Sequence, residues 1–310
     1  MTEIAIHEPL DEPLAARATA HHAAWRWRDL RAYALLAPSL VFLGAFTYWP
    51  VVQVLWNSVH EQDKRATTFV GLKNYLAILA DASFRHAFVN NLLYAAGTII
   101  PSLVLALGFA LALDRSSRLN TFLRSVLFLP VLVPLVAAAS IFLFIFLPGV
   151  GLLDHYLARL GVAGVNWIGD PDIALASIIG LTVWKNAGYY MLFFLAGLQA
   201  IALESYEAAI LDGANAWQRL WYVTLPALKP TLAFVVVIAL INVVTQVDHI
   251  FVLTKGGPSD STNLILFYVY QEAVERYDIG KASAATVVAL IILLAISGVS
   301  LRRADREADA

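Results

Sequence analysis

The chain contains no cysteine among its 310 residues, which excludes disulfides, thiolate catalysis and cysteine-based metal sites. Charge is scarce too. Asp, Glu, Lys and Arg together make up 14% of the sequence, against roughly 25% in an ordinary soluble domain. The formal net charge of −2 says nothing about nucleic acid, and with no basic stripe to suggest one no nucleic-acid partner is expected. No G-x-x-x-x-G-K-[ST] segment is present, so the chain lacks that device for cradling a nucleotide phosphate. Nor is there a carboxylate pair, a histidine cluster or a Ser–His arrangement to support catalysis, and no set of metal ligands is expected. Residues 1–30 lack an apolar core and a small-residue cleavage site, so they read as a flexible extension rather than a signal peptide. Its His7, His21 and His22 are read the same way, not as ligands.

What fills the chain instead is apolar surface: 60% of residues are hydrophobic, and the mean hydropathy is +0.70. That surplus has to face something other than water, and a lipid bilayer is the solvent that fits. Crossing a hydrocarbon core of about 30 Å takes roughly 20 apolar residues in a helix. Six runs meet that length, at Ala32–Trp56, Phe88–Leu113, Val126–Leu147, Ala174–Gln199, Thr231–Leu253 and Ala282–Leu301. Within them stand only two formally charged residues, Lys185 and Asp248, together with His249. The prolines inside the runs (Pro38, Pro50, Pro101, Pro130 and Pro134) are tolerable because neighbouring helices can satisfy the carbonyls they free. Trp25, Trp27, Tyr48, Trp49, Trp56, Trp167, Trp217, Trp221 and Tyr222 fall near span ends, as an aromatic belt would.

Between the fourth and fifth runs lies a polar stretch, Glu207–Pro230, reading EAAILDGANAWQRLWYVTLPALKP. Glu204–Leu211 has helix formers with acidic residues at its start, favourable at a positive helix terminus. Gly213 can adopt φ > 0 and end that helix, Ala216–Val223 can start another, and Pro226 and Pro230 reset the chain into the next span. Small residues at Ala208, Ala209, Gly213 and Ala214 leave room for another surface, and Glu207 and Asp212 offer anionic contacts. This layout suits a docking surface for a soluble partner better than a mere connector.

The segment resembles the EAA loop of permease subunits of ATP-binding-cassette importers. The E-A-A-x-x-x-G pattern with a downstream L-P is matched at Glu207, Ala208, Ala209, Gly213, Leu225 and Pro226, with the frequent Asp-Gly-Ala form at Asp212-Gly213-Ala214. Leu220 and Val223 depart from the more frequent Phe and Ile but stay apolar. The Lys255-Gly256-Gly257-Pro258 turn, Leu266-Phe267-Tyr268, and the Tyr277-Asp278 and Gly280 segment resemble the carbohydrate-uptake branch, the maltose and glycerol-phosphate types. The likeness covers residues 32–301.

The resemblance implies an all-α membrane protein of six transmembrane helices with the type I importer permease fold and both termini cytoplasmic. It gives a permease domain over residues 31–303 and a cytoplasmic tail over 304–310. It implies that Glu204–Gly213 forms a coupling helix seated in a cleft of an ATPase subunit. The implied partners are a second permease, two ATPase subunits and an extracytoplasmic solute-binding protein. ATP and magnesium would belong to the ATPases, leaving this chain non-catalytic and without a cofactor, in the bacterial inner membrane. With the N-terminus in the cytosol, Lys and Arg outside the spans divide twelve to eight in favour of the cytosolic side, the sense of the positive-inside rule.

Polar groups at mid-membrane depth cost about 2.5–3.5 kcal/mol each for Lys or Asp when they face lipid, so they mark function or bundle contacts. Lys185 and Tyr189 share one face of the fourth span, with Asn186 and Tyr190 beside it. Asn242, Gln246 and His249, with Thr245, form one stripe of the fifth at i, i+3/i+4, i+7 spacing. Asn90 or Asn91, Tyr94 and Thr98 form a weaker stripe in the second. Amides, hydroxyls and aromatic rings suit a hydroxyl-rich solute, so Lys185, Asn186, Tyr189, Tyr190, Asn242, Gln246, Asp248 and His249 are candidate pathway residues. Interhelical hydrogen bonds are the plainer alternative for each. Lys185 is expected either to pair with Asp248 or to meet an anionic solute. The function expected is half of a sugar importer's pathway, with a glycerol 3-phosphate or glycerophosphodiester permease as the alternative. A secondary transporter would need an internal repeat, which the sequence does not display, and would leave the Glu207–Pro230 loop unexplained.

Overall fold

Long apolar runs become long helices, because the backbone satisfies its own hydrogen bonds only within a helix when lipid surrounds it. The computed structural model describes residues 33–63, 66–162 and 164–308, with side chains through Gly298; the residue 1–30 extension, with its histidines, Trp25 and Trp27, lies outside them. Helix α1, Tyr33–Ser58, carries a π-helical turn at Gly44–Tyr48. That wider turn sits just before Pro50, which has no N–H to give.

From Asn57 onward the chain forms a second unit. A short antiparallel hairpin, β1 (His60–Asp63) and β2 (Ala66–Phe69), is a small departure from the all-helical expectation. Asn74 of α2 (Lys73–Ala80) fastens it, donating to the carbonyls of Ser58 and His60, both at 3.0 Å. Helix α3 spans Ala82–Leu113 and buries Asn90, Tyr94, Thr98, Ser102, Ala106 and Ala110. A buried step of four repeated this way makes one ridge, and its small residues let a neighbouring backbone come close. That neighbour is α7, Ala174–Gln199, the most extensive helix partner of α3.

The expected third span, Val126–Leu147, is not one helix. It is α4 (Arg118–Leu132) and α5 (Leu135–Ile145), bent by 97°. The cause is local: Pro134 cannot donate to the carbonyl of Pro130, so the ladder stops there. A short helix, α6 (Leu152–Arg159), follows. The fifth span is also broken, into α10 (Lys229–Thr245) and α11 (Asp248–Leu253), with extended backbone at Gln246 (φ −88°, ψ 106°). The weak helix formers Val243, Val244, Thr245 and Val247 surround that break. A short helix, α12 (Ile265–Tyr270), precedes α13 (Ile279–Ala308), which runs on into the expected tail. Among the described residues four helices are long and apolar enough to cross a membrane, or up to six if two bent pairs, α4 with α5 and Ala174–Gln199 with Leu203–Leu211, each count as one span.

Three apolar clusters hold the second unit together. One joins Ala106 and Ala110 to Tyr190, Met191 and Phe194 of α7 and to Leu228 and Val235. A second gathers Tyr94, Ile178, Leu181, Ile250 and Phe267. The third packs Ile78 and Phe84 against Tyr268, Ala284 and Ala285.

Candidate coupling surface and transmembrane polar site

Helix α7 ends at Gln199, and after a 69° bend α8, Leu203–Leu211, begins. Its end is fixed by Gly213 at φ +78°. The Ala214 N–H donates to Ala209 at 2.9 Å and the Gly213 N–H to Ile210 at 3.0 Å, the paired bonds of a Schellman stop. A Cβ on Gly213 would meet nothing within 4 Å. Backbone conformation, and not crowding, therefore requires glycine there. The chain restarts at once in α9 (Ala216–Arg219) through a capping box: Gln218 N–H donates to Asn215 Oδ1 at 2.9 Å, and Asn215 N–H to Gln218 Oε1 at 2.8 Å. A π turn, Leu220–Thr224, then leads into Leu225–Ala227.

The two legs of this loop are tied together. Tyr206 and the buried Thr224 share a hydrogen bond of 3.1 Å between their hydroxyls. At the base, a Cβ on Gly197 would come within 2.6 Å of Thr231 Oγ1, so α7 and α10 touch there backbone to side chain. Above this clamp Glu204, Glu207, Ala208, Asp212, Gly213 and Pro226 are exposed, and Ala209, Ala214 and Leu225 half-buried. Leu211 is 88% and Trp217 67% exposed. An apolar rim beside two carboxylates, on a braced loop, has the form of a docking surface.

The polar groups of the spans are largely paired within the chain. Lys185 is buried, and its ammonium donates to the carbonyls of Val133 (2.6 Å), Pro130 (3.2 Å) and Val131 (3.5 Å). An ion pair with Asp248, one of the two expectations, is not what it makes; Asp248 is exposed at the start of α11. Asn242 donates to Tyr190 Oη at 3.2 Å, bringing α10 and α7 together. Tyr189 is half-buried and packs edge-on against Phe193 at 5.1 Å between ring centroids. Asn186 is buried, and Gln246 half-buried at the break. The expected stripe of Asn242, Gln246 and His249 is interrupted at Gln246, whose extended backbone breaks the helical register between α10 and α11. His249 is completely buried instead, with Nε2 3.0 Å from Tyr94 Oη, which lies 2.9 Å from Thr182 Oγ1.

Residues 102–306 match the model of the family described as "Binding-protein-dependent transport system inner membrane component". The chain belongs to this family. The permease is 31% identical over 277 residues to the sn-glycerol-3-phosphate transport system permease protein UgpA of Agrobacterium fabrum, covering 88% of this chain and 94% of that protein. It is 32% identical over 275 residues to the trehalose/maltose transport system permease protein MalF of Thermococcus litoralis, covering 87% and 92%. Its fold matches a chain of a bacterial alginate ABC transporter, solved in complex with an alginate pentasaccharide-bound periplasmic protein. The TM-score is 0.79 at 22% identity, covering 90% of the permease and 95% of that chain.

Several polar anchors escaped sequence reasoning. In the loop after α5, Asp154 accepts from Gly149 N–H (2.7 Å), Trp167 Nε1 (2.7 Å) and Val165 N–H (3.4 Å). The Gly149 amide, then the Trp167 indole, hold its carboxyl below the usual carboxylate range, outweighing burial. Near α12, Glu272 is fully buried and bonded to Arg276, and Tyr268 donates to Asp81 at 2.9 Å. Asn90 donates to the carbonyls of Asp260 (2.7 Å) and Asn263 (3.1 Å), fixing a loop in which Lys255, Ser259 and Asp260 all take positive φ. Asp154 lies in the short helix α6, but its donors come from turns with no pattern to read. Thr182 offered no signal at all.

Proposed function

We propose that the permease forms half of the translocation pathway of an importer for a sugar or related polyol, moved by separate ATPase subunits that grip the Glu204–Pro226 loop. The observation that carries this reading is the braced loop itself: Glu207, Asp212 and Leu211 stand exposed on a turn locked by Gly213, while Tyr206 and Thr224 tie its legs. A rigid handle passes on displacement; a floppy connector would absorb it. ATP and magnesium belong to the ATPases in this scheme, and the chain itself is non-catalytic. A second permease completes the pathway, and a solute-binding protein outside delivers the cargo. The loop and both termini then face the cytosol of a bacterial inner membrane, in line with the distribution of Lys and Arg.

Asn186, Tyr189, Tyr190, Asn242 and Gln246 are the residues assigned to the pathway. Tyr190 and Asn242 already meet across α7 and α10, where a hydroxyl-rich solute could exchange hydrogen bonds with them. A glycerol phosphate is the second reading, supported by the UgpA relative. The sugar reading is preferred because Lys185, the cation within the spans, is occupied by three carbonyls. The test is co-purification with the ATPase and ATP-dependent uptake in vesicles. Glu207→Lys and Gly213→Pro are expected to leave an inserted protein that no longer couples hydrolysis to uptake. Wild-type uptake in both variants, or uptake driven by an ion gradient without ATP, would remove the docking reading.

A further inference from the structure

Helix α7 grips the broken third span at three successive places. Gly188 lies so close to α4 that a Cβ would fall 1.9 Å from the Leu127 carbonyl oxygen, a contact only glycine allows. One turn toward the helix start, Lys185 reaches the carbonyls of Pro130, Val131 and Val133. Next to it, Trp184 packs on Phe142 of α5, ring centroids 5.1 Å apart. The grip thus runs from α4, across the break, to α5.

The chemistry at the break explains why a lysine stands there. Pro134 cannot give the Pro130 carbonyl its usual helical donor, which leaves that carbonyl a 3.3 Å bond from the Val133 N–H, and the carbonyls that follow lie where the ladder turns away. A lipid-embedded break leaves such groups in need of donors. An ammonium has three, and its charge suits the negative end of α4. Three donors meet three acceptors, which also explains how a cation is tolerated at this depth.

We infer that Lys185 is a positioning residue for transport: it latches the break in the third span to α7, so that α4 and α5 travel with the helix that carries the coupling loop. Helix α7 is the shaft that ends in α8. A displacement of α8 reaches α4 through the Gly188 contact and α5 through Trp184. Lys185 keeps the two arms at one angle while they move. This inference rests on the proposed coupling at the Glu204–Pro226 loop, and its test separates the two.

Because the chain has no native cysteine, nitroxide labels can be placed without background. Labels go on Leu129 of α4 and Leu192 of α7, both exposed, in the assembled importer in nanodiscs. A second preparation carries a label on Leu211 of α8. Distances are read by pulsed electron paramagnetic resonance with and without a non-hydrolysable ATP analogue. In the wild type the Leu129–Leu192 distance is expected to stay single and narrow in both states. Lys185→Met, which keeps the apolar stem but removes every donor, is expected to broaden or split it when nucleotide binds, and Lys185→Arg to restore the narrow form. Lys185→Leu, which also removes every donor, takes the place of the Met variant if that one does not assemble, with the same broadening expected. Unchanged distributions in the neutral variant would overturn the latch. If nucleotide leaves the Leu211 environment of the wild type unaltered, the coupling reading itself fails, and the latch with it.

Discussion

The Tyr94 hydroxyl stands between Thr182 Oγ1 and His249 Nε2 and joins three helices. Interhelical hydrogen bonds inside membranes average about 0.6 kcal/mol and reach about 1.7 kcal/mol. Tyr94→Phe breaks two of them, so a loss of about 1–3 kcal/mol is expected, seen as earlier thermal unfolding in detergent, with Thr182→Val losing less. An unchanged Tyr94→Phe midpoint would mean the triad adds nothing. Asp154 offers a pH test in the loop after α5. Its folded carboxyl binds a proton less readily than the unfolded one, chiefly because of the Gly149 amide and the Trp167 indole. Its contribution is therefore present above the unfolded carboxylate pKa and lost as pH falls through the lower folded value. Amide protection across residues 149–167, taken relative to the intrinsic exchange rate at each pH, should fall on acidification in the wild type. In Asp154→Asn that protection should be lower at neutral pH and lose most of that dependence.

Among the elements, the turn from α8 to α9 depends most on one residue's backbone. Gly213 at φ +78° has open space around it, so Gly213→Ala meets only the left-handed penalty of about 1–2 kcal/mol. Exchange protection at residues 209–214 is expected to drop while protection in α3 and α7 stays as it was. A fall in both would show the turn to be part of the bundle's cooperative unit. The glycine is a local signal and its helix end is legible in the sequence; the Asn215–Gln218 capping box is equally local but went unread, and Pro226 lies within the Leu225–Ala227 helical turn instead of stopping a helix. The breaks in the third and fifth spans are not legible that way. Pro130 and Pro134 were visible, yet a proline in a membrane helix can as easily be absorbed as bend the chain, and Pro101 lies inside an unbroken α3. The third span turns by 97° where Pro134 stops the ladder, and what the sequence does not display is that Lys185, 52 residues from Val133, donates to the carbonyls at that break.

For the whole molecule, six apolar runs and one polar loop led to the family, and the residue 102–306 match bears that out. The pathway residues were less legible. Periodicity placed Asn242, Gln246 and His249 on one stripe, but the backbone at Gln246 is extended, and His249 went to Tyr94 instead. Lys185 and Asp248, the two charges within the spans, were natural partners on paper. In space one serves a helix end and the other is exposed.

The sequence by itself determined the solvent, the number of apolar runs, the loop between the fourth and fifth and the turn chemistry that shapes it. Each of these depends on residues a few positions apart. Only the tertiary structure decided where buried donors found their acceptors: Lys185 with Val133, Asn90 with Asp260, Tyr94 with His249. Such partners lie tens of residues apart or more, and any buried polar group accepts whichever complement the packing brings within about 3 Å.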